Sequence, residues 1–144
     1  MRLSKKEIAR RQLEVAIDLW FTQGDFLAII TLAGAAEEIL GKLVERHGQD
    51  SVMKHLIRLD IDLTGGRDFR VVNEEVNGIR NALKHANNLF EEDVDVSPAG
   101  ALAMLARALA NYTLISNGEL SESMTRLHNH LSRLYPKSAN PIDT

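Results

Sequence analysis

Apolar residues recur at helical spacing along almost the whole chain, and this periodicity constrains the fold more than any other feature. Residues three and four apart lie on one face of an α-helix. The clearest such stripe comprises Phe26, Ile29, Ile30, Ala33, Ala36, Leu40, Leu43 and Val44. No strand-like alternation of apolar and polar residues persists over a useful length. The sequence therefore predicts an all-α fold, an up-and-down bundle of four to five helices.

Helix start and stop signals divide this pattern into elements. Ser4 with Glu7, Asp25, and the Ser97-Pro98 pair are N-terminal signals, while Gly24, Gly48 and Asn117-Gly118 are helix-ending signals. The predicted elements are a helix from Ser4 to near Gly24, a helix from Asp25 to Gly48, a short helix from Asp50 or Ser51 to Ile57, a helix from about Phe69 to Phe90, and two helices after Ser97 on either side of Asn117-Gly118.

Length and composition narrow the class of protein. The 144 residues suit one domain, which we expect to span residues 1–135, followed by a flexible polar tail at 136–144. The absence of cysteine excludes disulfides and thiolate metal sites. No apolar run could span a bilayer and no secretory leader opens the chain, so we expect a cytoplasmic protein without membrane contact. The net charge of −3 requires any nucleic-acid contact to use a local basic patch.

The stretch Arg80-Asn81-Ala82-Leu83-Lys84-His85 carries the most chemistry. Arginine can hold a phosphate with a planar fork of donors, and histidine can transfer protons near neutral pH. On a helix Asn81 and His85 are neighbours, and Arg80 lies one turn from Lys84. Such a set can act on a phosphodiester without a metal. The alternative is an ordinary solvated polar face.

The helix that carries this stretch is rich in amides on its predicted polar side. That side comprises Asn73, Asn77, Arg80, Asn81, Lys84, His85 and Asn88. Asparagine has a poor helix propensity, so a plain solvent-exposed face would favour glutamate and lysine instead. The pattern therefore favours a functional surface, with Asn77 and Lys84 as supporting residues.

An arginine followed within a few residues by a histidine resembles the R-x4-x6-H signature of the HEPN superfamily, in its shortest form. The segment Leu32-Ala33-Gly34-Ala35-Ala36-Glu37-Glu38-Ile39-Leu40 is similar to the helix of that superfamily that combines small residues with a glutamate. The Glu37-Glu38 pair departs from the glutamate-lysine pair that is common there. The resemblance covers most of the chain and implies a small helical bundle.

The resemblance also implies a function. Many HEPN proteins are metal-independent endoribonucleases, often toxins paired with a nucleotidyltransferase antitoxin. By this resemblance His85 would transfer protons, Arg80 would stabilise phosphoryl charge, and Asn81 would orient either group. RNA is the expected substrate, and neither a cofactor nor a metal is expected. The alternative is a non-catalytic HEPN-like module that binds a nucleotide, a nucleic acid or a protein partner.

Two further expectations follow from the residues themselves. A clefted Arg80 needs a counter-charge, and Glu37 and Glu38 are the carboxylates flanked by core residues, so one of them should contact it. A single histidine per motif favours a homodimer with a composite site. Apolar residues beyond one stripe, namely Leu13, Ile17, Phe21 and Leu32, favour a homodimer as well.

Other candidate motifs are weaker. His128 and His130 on a helix point about 200° apart and cannot share a metal, so we expect them to be surface residues. No Glu-x-x-His follows the Glu37-Glu38 pair, so the di-iron bundle pattern is absent from the sequence. Gly65-Gly66-Arg67 lacks the lysine and the serine or threonine of a phosphate loop.

Overall fold

The computed structural model describes residues 1–56, 58, 69–84 and 93–135, and within 69–84 it describes the side chains of residues 77–84. All regular secondary structure in these ranges is helical, which confirms the all-α prediction. Residues 52–56 form a short helical segment. The longer helices of the described part are α1 (Lys5–Phe21), α2 (Phe26–Arg46), α3 (Phe69–Lys84), α4 (Pro98–Ile115) and α5 (Glu122–Leu134).

The predicted N-terminal caps are confirmed. The Ser4 hydroxyl accepts a hydrogen bond from the Glu7 amide at 3.1 Å, and the Asp25 carboxylate accepts one from the Leu27 amide at 2.8 Å. The Ser97 hydroxyl accepts a hydrogen bond from the Gly100 amide at 3.1 Å, with Pro98 as the first helical residue. These side chains satisfy backbone donors that a helix start leaves without a partner, so they fix where each helix begins.

Helix α2 is the centre of the bundle. It packs extensively against α1 and α4 and also contacts α3, while α5 packs against α1 and α4. Because only residues 22–25 connect α1 to α2, two helices in such extensive contact must run in opposite directions. The buried core lies between these helices, and its largest members are Leu13, Ile17, Ile29, Ile30, Leu40, Val44, Leu105, Met124 and Leu127.

Two residues that were expected to lie beyond the apolar stripe of α1 belong to its inner face. Its buried residues are Ala9, Leu13, Ala16 and Ile17. Leu13 and Ile17 are completely buried in the core of their own chain, so they are not surplus apolar residues available for a dimer. Phe21 and Leu32 are partly buried against the same core. The homodimer thus stays a prediction that rests on the one-histidine motif and not on these positions.

Some predictions fall outside the described residues, and one is corrected. The predicted ends of the short helix at Ile57 and of the third helix at Phe90 lie outside them, as does the tail at 136–144. His130, expected at the surface, packs against two aromatic rings. Its ring centroid lies 5.6 Å from that of Phe21 and 6.2 Å from that of Trp20. Within the described ranges, none of the helices has the length and apolarity needed to cross a membrane.

The position of Leu13 in the core gives a stability prediction. Leu13→Ala should lower the free energy of unfolding by about 2–5 kcal/mol, because it removes buried methyl groups and leaves a cavity. Val15 lies on the same helix with 50% of its surface exposed, so Val15→Ala should change stability by less than about 0.5 kcal/mol. Urea unfolding followed by circular dichroism measures both, and equal effects would contradict the assigned face of α1.

Candidate functional site

A single buried carboxylate is shared by two arginines between α2, α3 and α4. Arg80 Nη1 donates a hydrogen bond to Glu37 Oε2 at 2.6 Å, and Arg107 Nη2 donates one to Glu37 Oε1 at 3.0 Å. The side chains of Glu37, Arg80 and Arg107 are only 4%, 11% and 10% exposed. The expectation that Glu37 or Glu38 contacts Arg80 is therefore confirmed, and the partner is Glu37. We call these three residues the Glu37 cluster.

Further polar groups join the Glu37 cluster through Arg107. Arg107 Nη2 also donates to Asn77 Oδ1 at 2.9 Å, and both Arg107 and Asn77 lie within 3.8 Å of the Met53 sulfur. Asn77 is 3% exposed, so the predicted polar side of the third helix faces the protein interior here and not solvent. Burial lowers the pKa of Arg107, and the Arg80 charge lowers it further, while Glu37 acts in the opposite direction.

Asn111 extends the network to the segment after α2. Its Oδ1 accepts a hydrogen bond from the Val52 amide at 3.0 Å, and its Nδ2 approaches the Glu37 backbone carbonyl at 3.5 Å. Asn111 is completely buried. A buried amide of this kind must be hydrogen-bonded to be tolerated, and here it ties α4 both to α2 and to the helical segment at 52–56.

Gly34 makes room for the Arg80 side chain. A Cβ atom at position 34 would lie 2.7 Å from both Cγ and Cδ of Arg80. The aliphatic part of Arg80 thus crosses α2 over a residue without a side chain, and its guanidinium then reaches Glu37 one turn further along α2. The small-residue segment of α2 thus allows a close approach, and its immediate neighbour at Gly34 is the aliphatic stem of Arg80.

The remaining predicted site residues lie towards the surface or outside the described part. Lys84 Nζ lies 3.4 Å from Glu38 Oε2, and these side chains are 30% and 47% exposed, so the pair contributes little to stability. Asn81 is partly buried on the same helix. His85 lies outside the described residues, so its distance to Arg80 and to Asn81 stays a prediction.

Sequence reasoning missed Arg107 and Asn111, although a signal for both exists. Helix α4 is apolar along most of its length, and Arg107 is its single charged residue. Asn111 follows four residues later, on the same side of the helix. A lone charge in an apolar helix marks a buried partner on another element, and Glu37 is the partner.

The comparisons with known proteins give no match. No family model, curated protein or solved structure matches this chain. The resemblance to the HEPN superfamily stays a prediction that rests on the sequence pattern. In the part of the chain that the structure describes, no three histidine, aspartate or glutamate residues are grouped so that they could hold a metal ion.

Glu37 and Glu38 are neighbours in sequence with opposite environments, and this predicts opposite costs of neutralisation. Glu37→Gln should destabilise the protein by about 3–5 kcal/mol, because it leaves two largely buried guanidiniums without their shared carboxylate. Glu38→Gln should change stability by less than about 1 kcal/mol, since its pair with Lys84 is exposed. Chemical denaturation of both variants checks this, and a small effect of Glu37→Gln would show that the cluster is not needed for stability.

The contact between Gly34 and Arg80 gives a second matched pair. Gly34→Ala should destabilise the protein by about 1–3 kcal/mol, because the new methyl group displaces the Arg80 stem. A Cβ at Gly78 of α3 meets nothing within 4 Å. Gly78→Ala should therefore stabilise by about 0.5–1 kcal/mol through helix propensity alone. Thermal and urea unfolding compare the two, and stabilisation by Gly34→Ala would refute the close approach.

Proposed function

We propose that this protein is a HEPN-like, metal-independent endoribonuclease that acts as a symmetric homodimer. The observation that supports the proposal is the environment of Arg80: a buried carboxylate, shared with Arg107, holds the arginine of the R-x4-H motif in a fixed orientation. A guanidinium held in this way needs no reorganisation when charge develops on a phosphoryl group, which is the condition for efficient electrostatic catalysis.

The proposed reaction uses the groups of the motif. The 2′-hydroxyl of the RNA attacks the adjacent phosphorus in line, and the leaving 5′-oxygen takes up a proton, which gives a 2′,3′-cyclic phosphate. His85 acts as base or acid, and His85 of a second copy supplies the other role. Arg80 stabilises the charge on the phosphoryl oxygens, and Asn81 orients His85 or the phosphate.

Arg80 retains donors for this task. A guanidinium has five N–H groups, and the Glu37 contact at Nη1 uses one of them. Its Nε is buried without a hydrogen-bond acceptor in the described ranges, so the Nη hydrogens that do not bind Glu37 are the donors left for a substrate. Lys84, one turn further along α3 and exposed, adds a second cation near the surface. A nucleotidyltransferase-type antitoxin is the partner that the resemblance implies for a toxin of this kind.

The burial of Arg80 favours a second candidate function. With only 11% of its side chain exposed, Arg80 offers a small surface to a substrate phosphate. In a non-catalytic HEPN-like module the Glu37 cluster would serve to hold α3 in place, and the exposed part of that helix would bind a nucleotide, a nucleic acid or a protein partner. The two functions differ in one observable, the cleavage of RNA.

Cleavage of a mixed single-stranded RNA in excess EDTA tests the proposal. The wild-type protein should cleave it, and His85→Ala should lower the rate by about 10²- to 10⁴-fold, because an acid or base is removed. Arg80→Lys, which keeps the charge opposite Glu37 but removes the planar fork, should lower the rate by about 10²-fold or more. His128→Ala is the control, because His128 is exposed on α5 and should not affect cleavage.

Three outcomes separate the alternatives. Activity that disappears with EDTA contradicts the metal-independent mechanism, and activity unchanged in His85→Ala assigns the cleavage to a contaminating nuclease. A monomer at micromolar concentration in sedimentation removes the composite site. Failure of the wild-type protein to cleave any RNA, with the fold intact by circular dichroism, assigns the chain to the non-catalytic alternative.

A further inference from the structure

A cleft of about 260 Å³ lies along the outer side of α2, beside the first residue of α1. It is separate from the Glu37 cluster, which occupies the inner side of the same helix. We call it the α2 cleft, and its lining residues are Lys5, Glu38, Ile39, Lys42, Leu43 and Arg46.

The α2 cleft is positive although the whole chain carries a net charge of −3. Among the described residues, its lining contains three cationic residues and one carboxylate, and that carboxylate, Glu38, is already paired with Lys84 at 3.4 Å. Glu38, Lys42 and Arg46 are spaced four residues apart, so they form one row along about 12 Å of α2. The cleft therefore provides the local basic patch that a chain with a net charge of −3 needs for contact with a nucleic acid.

The α2 cleft adjoins α3, the helix that carries Arg80, through one side-chain contact. Lys84 is the contact between them: it lies one turn from Arg80 on α3 and touches Glu38 at the cleft wall. A chain of phosphates that reaches Arg80 would therefore pass Lys84 and then the row formed by Lys42 and Arg46. Ile39 and Leu43 are partly buried between these charges and offer an apolar surface to a ribose or a base.

We propose that the α2 cleft binds the sugar–phosphate backbone of single-stranded RNA beside the bond that is cleaved, an inference that rests on the proposed ribonuclease function. The cleft volume lies just below the usual range of small-ligand pockets, so the cleft would hold a short part of one strand. Cations along a groove bind successive phosphates of a single strand without reading its sequence.

Binding is measured separately from cleavage with a fluorescent single-stranded RNA whose 2′-hydroxyls are methylated, so that it cannot react. Lys42→Glu should weaken binding by about tenfold or more, because it replaces a charge-assisted phosphate interaction with repulsion. The slope of log affinity against log salt concentration should become shallower by about 0.7 for each phosphate that the variant no longer neutralises. Arg133→Glu, an equal charge change at an exposed position of α5, should leave both quantities within about twofold of the wild type.

A gain-of-affinity variant excludes misfolding as the cause. Glu38→Gln removes the one carboxylate among the described lining residues and releases Lys84, so it should bind the RNA more tightly and with a steeper salt dependence. Equal affinity of the wild type and Lys42→Glu, or no RNA binding by the wild type, overturns the proposed cleft even where cleavage is observed. Selectively weakened binding in Lys42→Glu supports the cleft even where the wild type cleaves no RNA.

Discussion

The buried carboxylate of Glu37 is the interaction on which the arrangement of the helices depends. An isolated charge inside a protein costs several kcal/mol, and the buried Glu37 carboxylate is compensated by Arg80 and Arg107. One arginine comes from α3 and the other from α4, while the carboxylate belongs to the central helix. Displacing either outer helix would break one of the two ion pairs of Glu37, so the cluster links both helices to α2.

The same cluster connects the interior of the bundle to its candidate functional surface. Asn77, Arg80 and Lys84 form one row on α3, and along this row the environment changes from buried to exposed. Glu37 and Glu38 face that row from α2, the first inside and the second at the surface. The glycine at position 34 lets the row approach α2 closely enough for these contacts to form. Arg80 is thus largely buried in the core, and it lies one turn from the exposed cation of Lys84.

Much of the fold follows from local signals in the sequence. The caps at Ser4, Asp25 and Ser97 begin helices where the sequence predicts them, because a capping side chain acts on amides within three residues of itself. The pairing of Arg80 with a glutamate of the second helix was also predictable, since a largely buried guanidinium requires an acceptor. These predictions use interactions that are either local or obligatory.

The sequence-based predictions were wrong or incomplete where tertiary contacts determine which side chains are buried. Asparagine is typical of a protein surface, but Asn77 is buried, where it contacts Arg107 and Met53. Leu13 and Ile17 were expected to lie beyond the apolar stripe because apolar residues occur around most of α1, so periodicity alone left their positions ambiguous. Arg107 was overlooked although it is the single charged residue of an apolar helix, which indicates a buried partner on another element.

A double-mutant cycle between Glu37 and Arg80 tests most directly whether the buried carboxylate holds the motif arginine. The free energy of unfolding is measured for the wild type, Glu37→Gln, Arg80→Met and the double variant, with Met chosen to retain most of the Arg80 stem. The account predicts that the double variant is less destabilised than the sum of the single variants, by about 0.5–3 kcal/mol. Additivity within about 0.3–0.5 kcal/mol would mean that Glu37 and Arg80 do not interact, and it would contradict the account.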